Sequence, residues 1–140
     1  DWYLLENPNH KKIQDWMKEL LHLYRKNPCM YELDSSHEGF EWINADDGDR
    51  SIFSFFRKSK DGKNRMLFVI NFTPVAREDY RVGVPERKTY KLVLNSEDSK
   101  FGGTDENRPT SYKAVKAECD HRPYSFAYPL PAYGVAVFKF

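Results

Sequence analysis

A chain of 140 residues is the length of one ordinary domain, enough to build a single core without disulfide or metal staples and too short for a large barrel enzyme. Its 22 basic and 21 acidic residues leave a formal charge of +1, so no global field gathers nucleic acid or an anionic membrane surface. No apolar run approaches the roughly 18 residues of a membrane span, and the N-terminal residues lack the layout of a signal peptide.

The chain opens DWYLLENP rather than with methionine, and Trp2 to Leu5 read as the tail of an element that begins upstream, so the chain is expected to be a piece of a longer protein. From Pro8 to Asn27, Ile13, Trp16, Met17, Leu20, Leu23 and Tyr24 recur at three- and four-residue spacing opposite Lys11, Lys12, Asp15, Lys18 and Glu19. That pattern predicts an amphipathic helix. Asn7 is a suitable cap, Pro8 is tolerated at the first helical position, and Pro28 supplies the stop.

Beyond Pro28 the period changes to two. Strands are predicted over 39–44, 51–58, 65–72, 80–84, 89–95, 111–118, 124–130 and 134–140, and the segments between them are rich in Gly, Pro, Asp and Asn. Closely spaced strands with no helix between them indicate an antiparallel β-sandwich of about eight strands, mainly β, preceded by one helix.

Candidate chemistry is sparse. Asn44 to Asp49 carries alternating oxygen side chains and a glycine, but the twelfth position from Asn44 is Phe55, where a calcium loop needs a bidentate glutamate, so the segment reads as a turn. Glu38 with Glu41, and Glu78 with Asp79, read as solvated surface acids. The histidines lie in separate segments, and no nucleophile elbow, phosphate cradle, metal pattern or cofactor motif is present; no metal or cofactor is expected. Cys29 and Cys119 have no redox or zinc spacing and read as buried free thiols, which suits a reducing cytosol. Asn71-Phe72-Thr73 matches the N-glycosylation acceptor pattern, but it follows the apolar run Met66 to Ile70 and precedes Pro74, so it reads as accidental, with Asn71 and Thr73 satisfying turn backbone groups. Aromatics make up 16% of the chain, enough to supply both a core and a sugar-stacking surface. Trp42, Tyr112 and Tyr133 are the candidate glucan-binding rings, each with core packing as the alternative use.

Longer phrases carry more. DWYLL, LHLYRKNPCMYELD, GFEWINADDGDRSIFSFFRK, NFTPVAREDYRVGVP, LVLNSEDSKFGG and SFAYPLPAYGVAVFKF together resemble the C-terminal end of bacterial glycogen branching enzymes, the 1,4-α-glucan branching members of the α-amylase family. The resemblance runs over essentially the whole chain. It implies a cytoplasmic parent with a catalytic (β/α)8 barrel followed by a C-terminal β-sandwich, residues 1–28 being the last barrel helix and 29–140 the sandwich. The parent's catalytic Asp, Glu and Asp would lie upstream of Asp1, so no catalytic residue is carried over and the piece alone is expected to be inactive. Ala76 stands where relatives commonly have proline, and Phe101 where tyrosine is frequent. The expected partners are the parent's barrel and α-glucan or glycogen. The helix face Ile13, Trp16, Met17 and Leu20, parted from the barrel, is expected either to fold onto the sandwich or to pair with a second copy. Two other readings stay open: a free-standing carbohydrate-binding sandwich module and an interaction domain unrelated to sugars.

Overall fold

The computed structural model describes all residues, 1–140. Helix α1 spans Pro8–Lys26, and the Asn7 side chain accepts a hydrogen bond from the Asn9 amide at 2.9 Å, as its cap position requires. Arg25 and Lys26 place positive charge at the carbonyl end. Asn27 then turns the chain out of the helix, its Nδ2 donating to the Leu23 carbonyl at 2.8 Å, and Pro28 starts a short 3-10 turn instead of merely ending the helix. Trp2–Glu6 forms another 3-10 turn ahead of α1.

Eight strands follow: β1 Phe40–Asn44, β2 Ile52–Lys58, β3 Arg65–Asn71, β4 Arg77–Val84, β5 Thr89–Asn95, β6 Ser111–Lys113, β7 Tyr124–Leu130 and β8 Val135–Lys139. They divide unevenly, into a six-stranded sheet in the order β1-β2-β3-β8-β5-β6 and a two-stranded sheet of β4 and β7, with every strand pairing antiparallel. The strand expected over 111–118 stops at Lys113. There Ala114 bonds back to Lys88, while Val115 exchanges backbone hydrogen bonds with Ser125 of β7, so the segment leaves one sheet and crosses to the other. Alternation continues through such a crossing, which is why period alone overextends the strand.

Side-chain alternation gives the large sheet two faces, and both are covered. On one, Ile52, Phe56, Leu67, Val69, Ala136 and Phe138 meet Val82, Phe126, Tyr128 and Leu130 of the small sheet in a 15-residue core. On the other, Met66, Phe68, Leu94 and Val137 form a second cluster with Cys29, roofed by Trp16, Leu20 and Leu23 of α1 and by Phe101. The molecule is therefore three-layered: helix, large sheet, small sheet.

The 73–76 connection is pinned by Asn71, which is 1% exposed. Its Nδ2 donates to the carbonyls of Val75 and Pro131, both at 2.9 Å, and its Oδ1 accepts from the Thr73 amide at 3.0 Å and the Thr73 hydroxyl at 2.7 Å. The sequon nitrogen is committed inside the fold, in keeping with a turn role. Cys29 and Cys119 are both free, Cys29 buried as expected and Cys119 only half-buried, in the turn before β7.

Candidate functional site

The helix-bearing face of the large sheet holds most of what is available to a partner. At about 100° of rotation per residue, Leu23, Trp16 and Leu20 fall within an arc of about 60° on α1, and Ile13, Tyr24, Met17 and Leu21 occupy the adjoining arc of about 80°. Only the first arc is covered by the sheet. Ile13 is 70% exposed, Met17 51% and Leu21 54%. The expectation that the stripe folds onto the sandwich thus holds for half of it, Trp16 and Leu20 being covered while Ile13 and Met17 are not.

Which way the bare half points follows from its neighbours. Trp16 meets Phe101 edge-on at 5.1 Å, and the Lys12 stem lies over Gly102, so that side of α1 abuts the loop after β5. On the opposite flank the Tyr24 hydroxyl donates to Asp34, which is ion-paired with Arg57 of β2. Hydrogen bonding from Arg57 holds the Asp34 carboxyl below its ordinary range, and the bond to Asp34 in turn raises Tyr24. The uncovered arc therefore faces β1 and β2, whose Phe40, Trp42, Phe53 and Phe55 rings lie on the same side of the sheet.

Those rings form a connected row. Trp42, 48% exposed, touches Phe40 at 4.9 Å, Phe55 at 5.7 Å and Phe53 at 6.3 Å, and Phe53 meets Phe72, itself 61% exposed, at 5.7 Å. Below them Phe55 stacks on Phe68 at 5.0 Å. The backbone under Trp42 is fixed from outside the sheet, since Arg122 donates to the Trp42 carbonyl at 3.0 Å and Glu41 binds both Arg122 and Lys58. Capping that carbonyl also blunts an edge strand that would otherwise recruit another chain.

The other two candidate rings lie apart from this row. Tyr112 pairs with Tyr90 across β5 and β6 and is packed among Phe126, Tyr128 and Phe138, with centroids at 5.7, 5.2 and 5.7 Å. Its ring is half-buried against the core rather than part of the exposed row, and burial raises its hydroxyl pKa. Tyr133 is 65% exposed in the turn before β8 at φ 50°, a left-handed conformation uncommon for a tyrosine, and its amide donates to the Thr73 carbonyl. Phe72, which extends the Trp42 row, was not among the sequence candidates; its place in NFT, just after an apolar strand and just before a proline, is the available signal. Phe101 is partly buried against Trp16.

The acidic segment 44–49 is the β1–β2 turn. Asn44 Oδ1 accepts from the Asp46 amide, its Nδ2 donates to Asp120 at 2.8 Å, and Asp47 pairs with Arg50.

Residues 42–140 match the family described as the alpha amylase, C-terminal all-beta domain. The chain belongs to that family. The α-amylase C-terminal domain accounts for the two sheets, while α1 lies outside the matched residues. Across the whole chain there is 46% identity over 140 residues with the 1,4-alpha-glucan branching enzyme of Butyrivibrio fibrisolvens, covering 22% of that protein. The branching enzymes of Halothermothrix orenii and Vibrio parahaemolyticus are each 42% identical over 99% of the chain, which covers 22% and 18% of their lengths. The chain thus spans about a fifth of the length of the curated relatives it matches. The resemblance to bacterial glycogen branching enzymes extends over the full chain.

Proposed function

We propose that this chain is the C-terminal, non-catalytic region of a cytoplasmic 1,4-α-glucan branching enzyme, with residues 1–28 as the last helix of its catalytic barrel and 29–140 as the sandwich that supports it. One observation carries the reading: α1 is apolar around about 160° of its surface, and the sandwich covers less than half of that arc. Ile13, Met17, Leu21 and Tyr24 want a second partner, and the catalytic part of the parent supplies it. Covering four such half-exposed side chains contributes on the order of 4 kcal/mol.

A chimera tests this. The corresponding region of the Butyrivibrio fibrisolvens relative is replaced by this chain, and branching is followed by iodine staining. The chimera branches, the 140-residue chain alone does not, and Ile13→Asp with Met17→Asp lowers the chimera's melting temperature far more than the isolated chain's. Equal shifts in both settings refute the docking assignment.

The exposed Trp42 row favours direct contact with glucan as a second role, because a sugar ring offers C–H groups to an aromatic face. Retarded migration of the chain in a glycogen-containing gel, abolished by Trp42→Ala in a folded variant, supports it; migration unaffected by glycogen refutes it.

A further inference from the structure

One end of the large sheet carries an apolar knob that the core does not use. It is built from residues 72–76, which follow β3, and from the turn at 131–134, which precedes β8. Phe72 is 61% exposed, Val75 49% and Tyr133 65%, and Pro74 and Ala76 are exposed beside them. Three hydrogen bonds join the two segments: the Asn71 amide donates to the Gly134 carbonyl, the Tyr133 amide to the Thr73 carbonyl and the Asn71 side chain to the Pro131 carbonyl, each at 2.9 Å. The knob is therefore held firmly although it lies in loops.

Two features of the knob point outward. The Gly134 amide reaches back to the Pro131 carbonyl at 3.3 Å and closes a turn whose third residue is Tyr133, at φ 50°. A turn position with positive φ ordinarily takes glycine or asparagine, because a larger side chain crowds the backbone there. Tyr133 occupies it with its ring mostly in solvent, so the ring gains little inside the chain to offset the strain. The second feature is polarity. Thr73 is the one polar residue from 72 to 76, and its hydroxyl donates to Asn71, whose own side chain is fully engaged. An apolar surface whose polar groups are already satisfied is suited to burial under another protein, whereas a sugar needs free donors and acceptors beside the ring.

Continuity names the partner. Phe72 meets Phe53 at 5.7 Å and Phe53 meets Trp42 at 6.3 Å, so a row of rings joins the knob to the side of the sheet that the bare arc of α1 faces. The chain covers 22% of each of two branching-enzyme relatives, which leaves about four fifths of their length, enough to cover both ends of that surface. We propose that Phe72, Val75 and Tyr133 form a second docking point for the catalytic part of the parent, at the Phe72 end of the aromatic row. The assignment rests on the reading of α1 given above. It competes with glucan contact at Trp42, because a partner that spans both docking points covers the ring between them.

Cysteine accessibility tests it. Val75→Cys and Met17→Cys are made separately in the isolated chain and in the chimera, each protein is pulsed with a maleimide, and the labelled peptides are quantified by mass spectrometry. Both sites react readily in the isolated chain, and both react about tenfold or more slowly in the chimera. Tyr133→Gly, which removes the ring and relieves the positive φ, leaves the unfolding midpoint of the isolated chain at or above that of the wild type and speeds labelling of Val75→Cys in the chimera. Equal labelling of Val75→Cys in the two settings, with Met17→Cys still protected in the chimera, overturns the second docking point and leaves the functional reading standing. Equal labelling at both sites overturns the docking reading as well. Protection of Val75→Cys in the isolated chain that grows with protein concentration, or that appears on adding maltotriose, also overturns the proposal, because the occupant is then a second copy or a glucan.

Discussion

Replacing Asn71 by alanine is the sharpest perturbation the fold offers away from its apolar core. The side chain makes four hydrogen bonds, and its loss strips partners from the Val75 and Pro131 carbonyls and the Thr73 amide. The Thr73 hydroxyl is near enough to solvent to find water, so three backbone groups carry the cost. At about 1 kcal/mol each, with a further penalty for the most enclosed, Asn71→Ala destabilises by about 3–4 kcal/mol, a large share of the 5–15 kcal/mol typical of a domain. Urea unfolding followed by tryptophan fluorescence measures it. Asn71→Asp provides the control for sign: its carboxylate still accepts from Thr73 but opposes two carbonyl oxygens, which raises its folded-state pKa above the unfolded value. A raised carboxyl pKa means that the folded state holds the proton more tightly, so the variant gains stability as pH falls through the folded pKa and loses it again as pH rises. An Asn71→Ala unfolding free energy within about 1 kcal/mol of wild type, or an Asn71→Asp variant without that acid-side gain, refutes the reasoning.

The split helix face predicts a contrast in the isolated chain. Leu20→Ala, which opens space over the cluster beneath α1, costs about 2 kcal/mol, whereas Met17→Lys on the bare arc stays within about 0.5 kcal/mol; both are read by thermal unfolding, and similar losses contradict the assignment of covered and bare arcs. Glu86 has its carboxyl pKa lowered from 4.5 to about 2 by hydrogen bonds from Arg65 and then Lys88. A depressed folded-state pKa contributes stability above the unfolded value that is lost as pH falls toward 2, so the stability advantage of wild type over Glu86→Gln shrinks across that window. The effect is modest, because 36% of the side chain faces solvent and water screens the pair.

Much of this architecture is written in local patterns. Asn7-Pro8 starts the helix where capping chemistry requires, and the strands over 89–95 and 124–130 match their predicted limits, because turn residues bracket each. What local pattern leaves open is partnership. The spacing of Ile13, Trp16 and Met17 shows an apolar face but not how much of it a sheet of given width covers. Tyr112 alternates as a strand residue should, but only its pairing with Tyr90, a long-range fact, turns the ring inward. The turn role of Asn71 is legible from its place two residues ahead of Thr73 and just before Pro74, but its reach to the Pro131 carbonyl, far along the chain, is not. The close approach of residues 119 and 120 to Gly83 depends on the left-handed bend at Asp120 and His121, residue types that adopt such angles without a distinguishing local pattern.

The position of β8 bears on how the molecule comes into being. It is the last of the eight strands, yet it sits between β3 and β5 and joins them into one sheet. Until Val135–Lys139 has emerged from the ribosome, the β1-β2-β3 meander and the β5-β6 pair are two fragments with unfilled edges, and Phe68 and Leu94 have no Val137 between them. Such long-range pairing is slow to form and exposes strand edges meanwhile. The sandwich therefore closes only once its final strand is available to bridge the two halves of the large sheet.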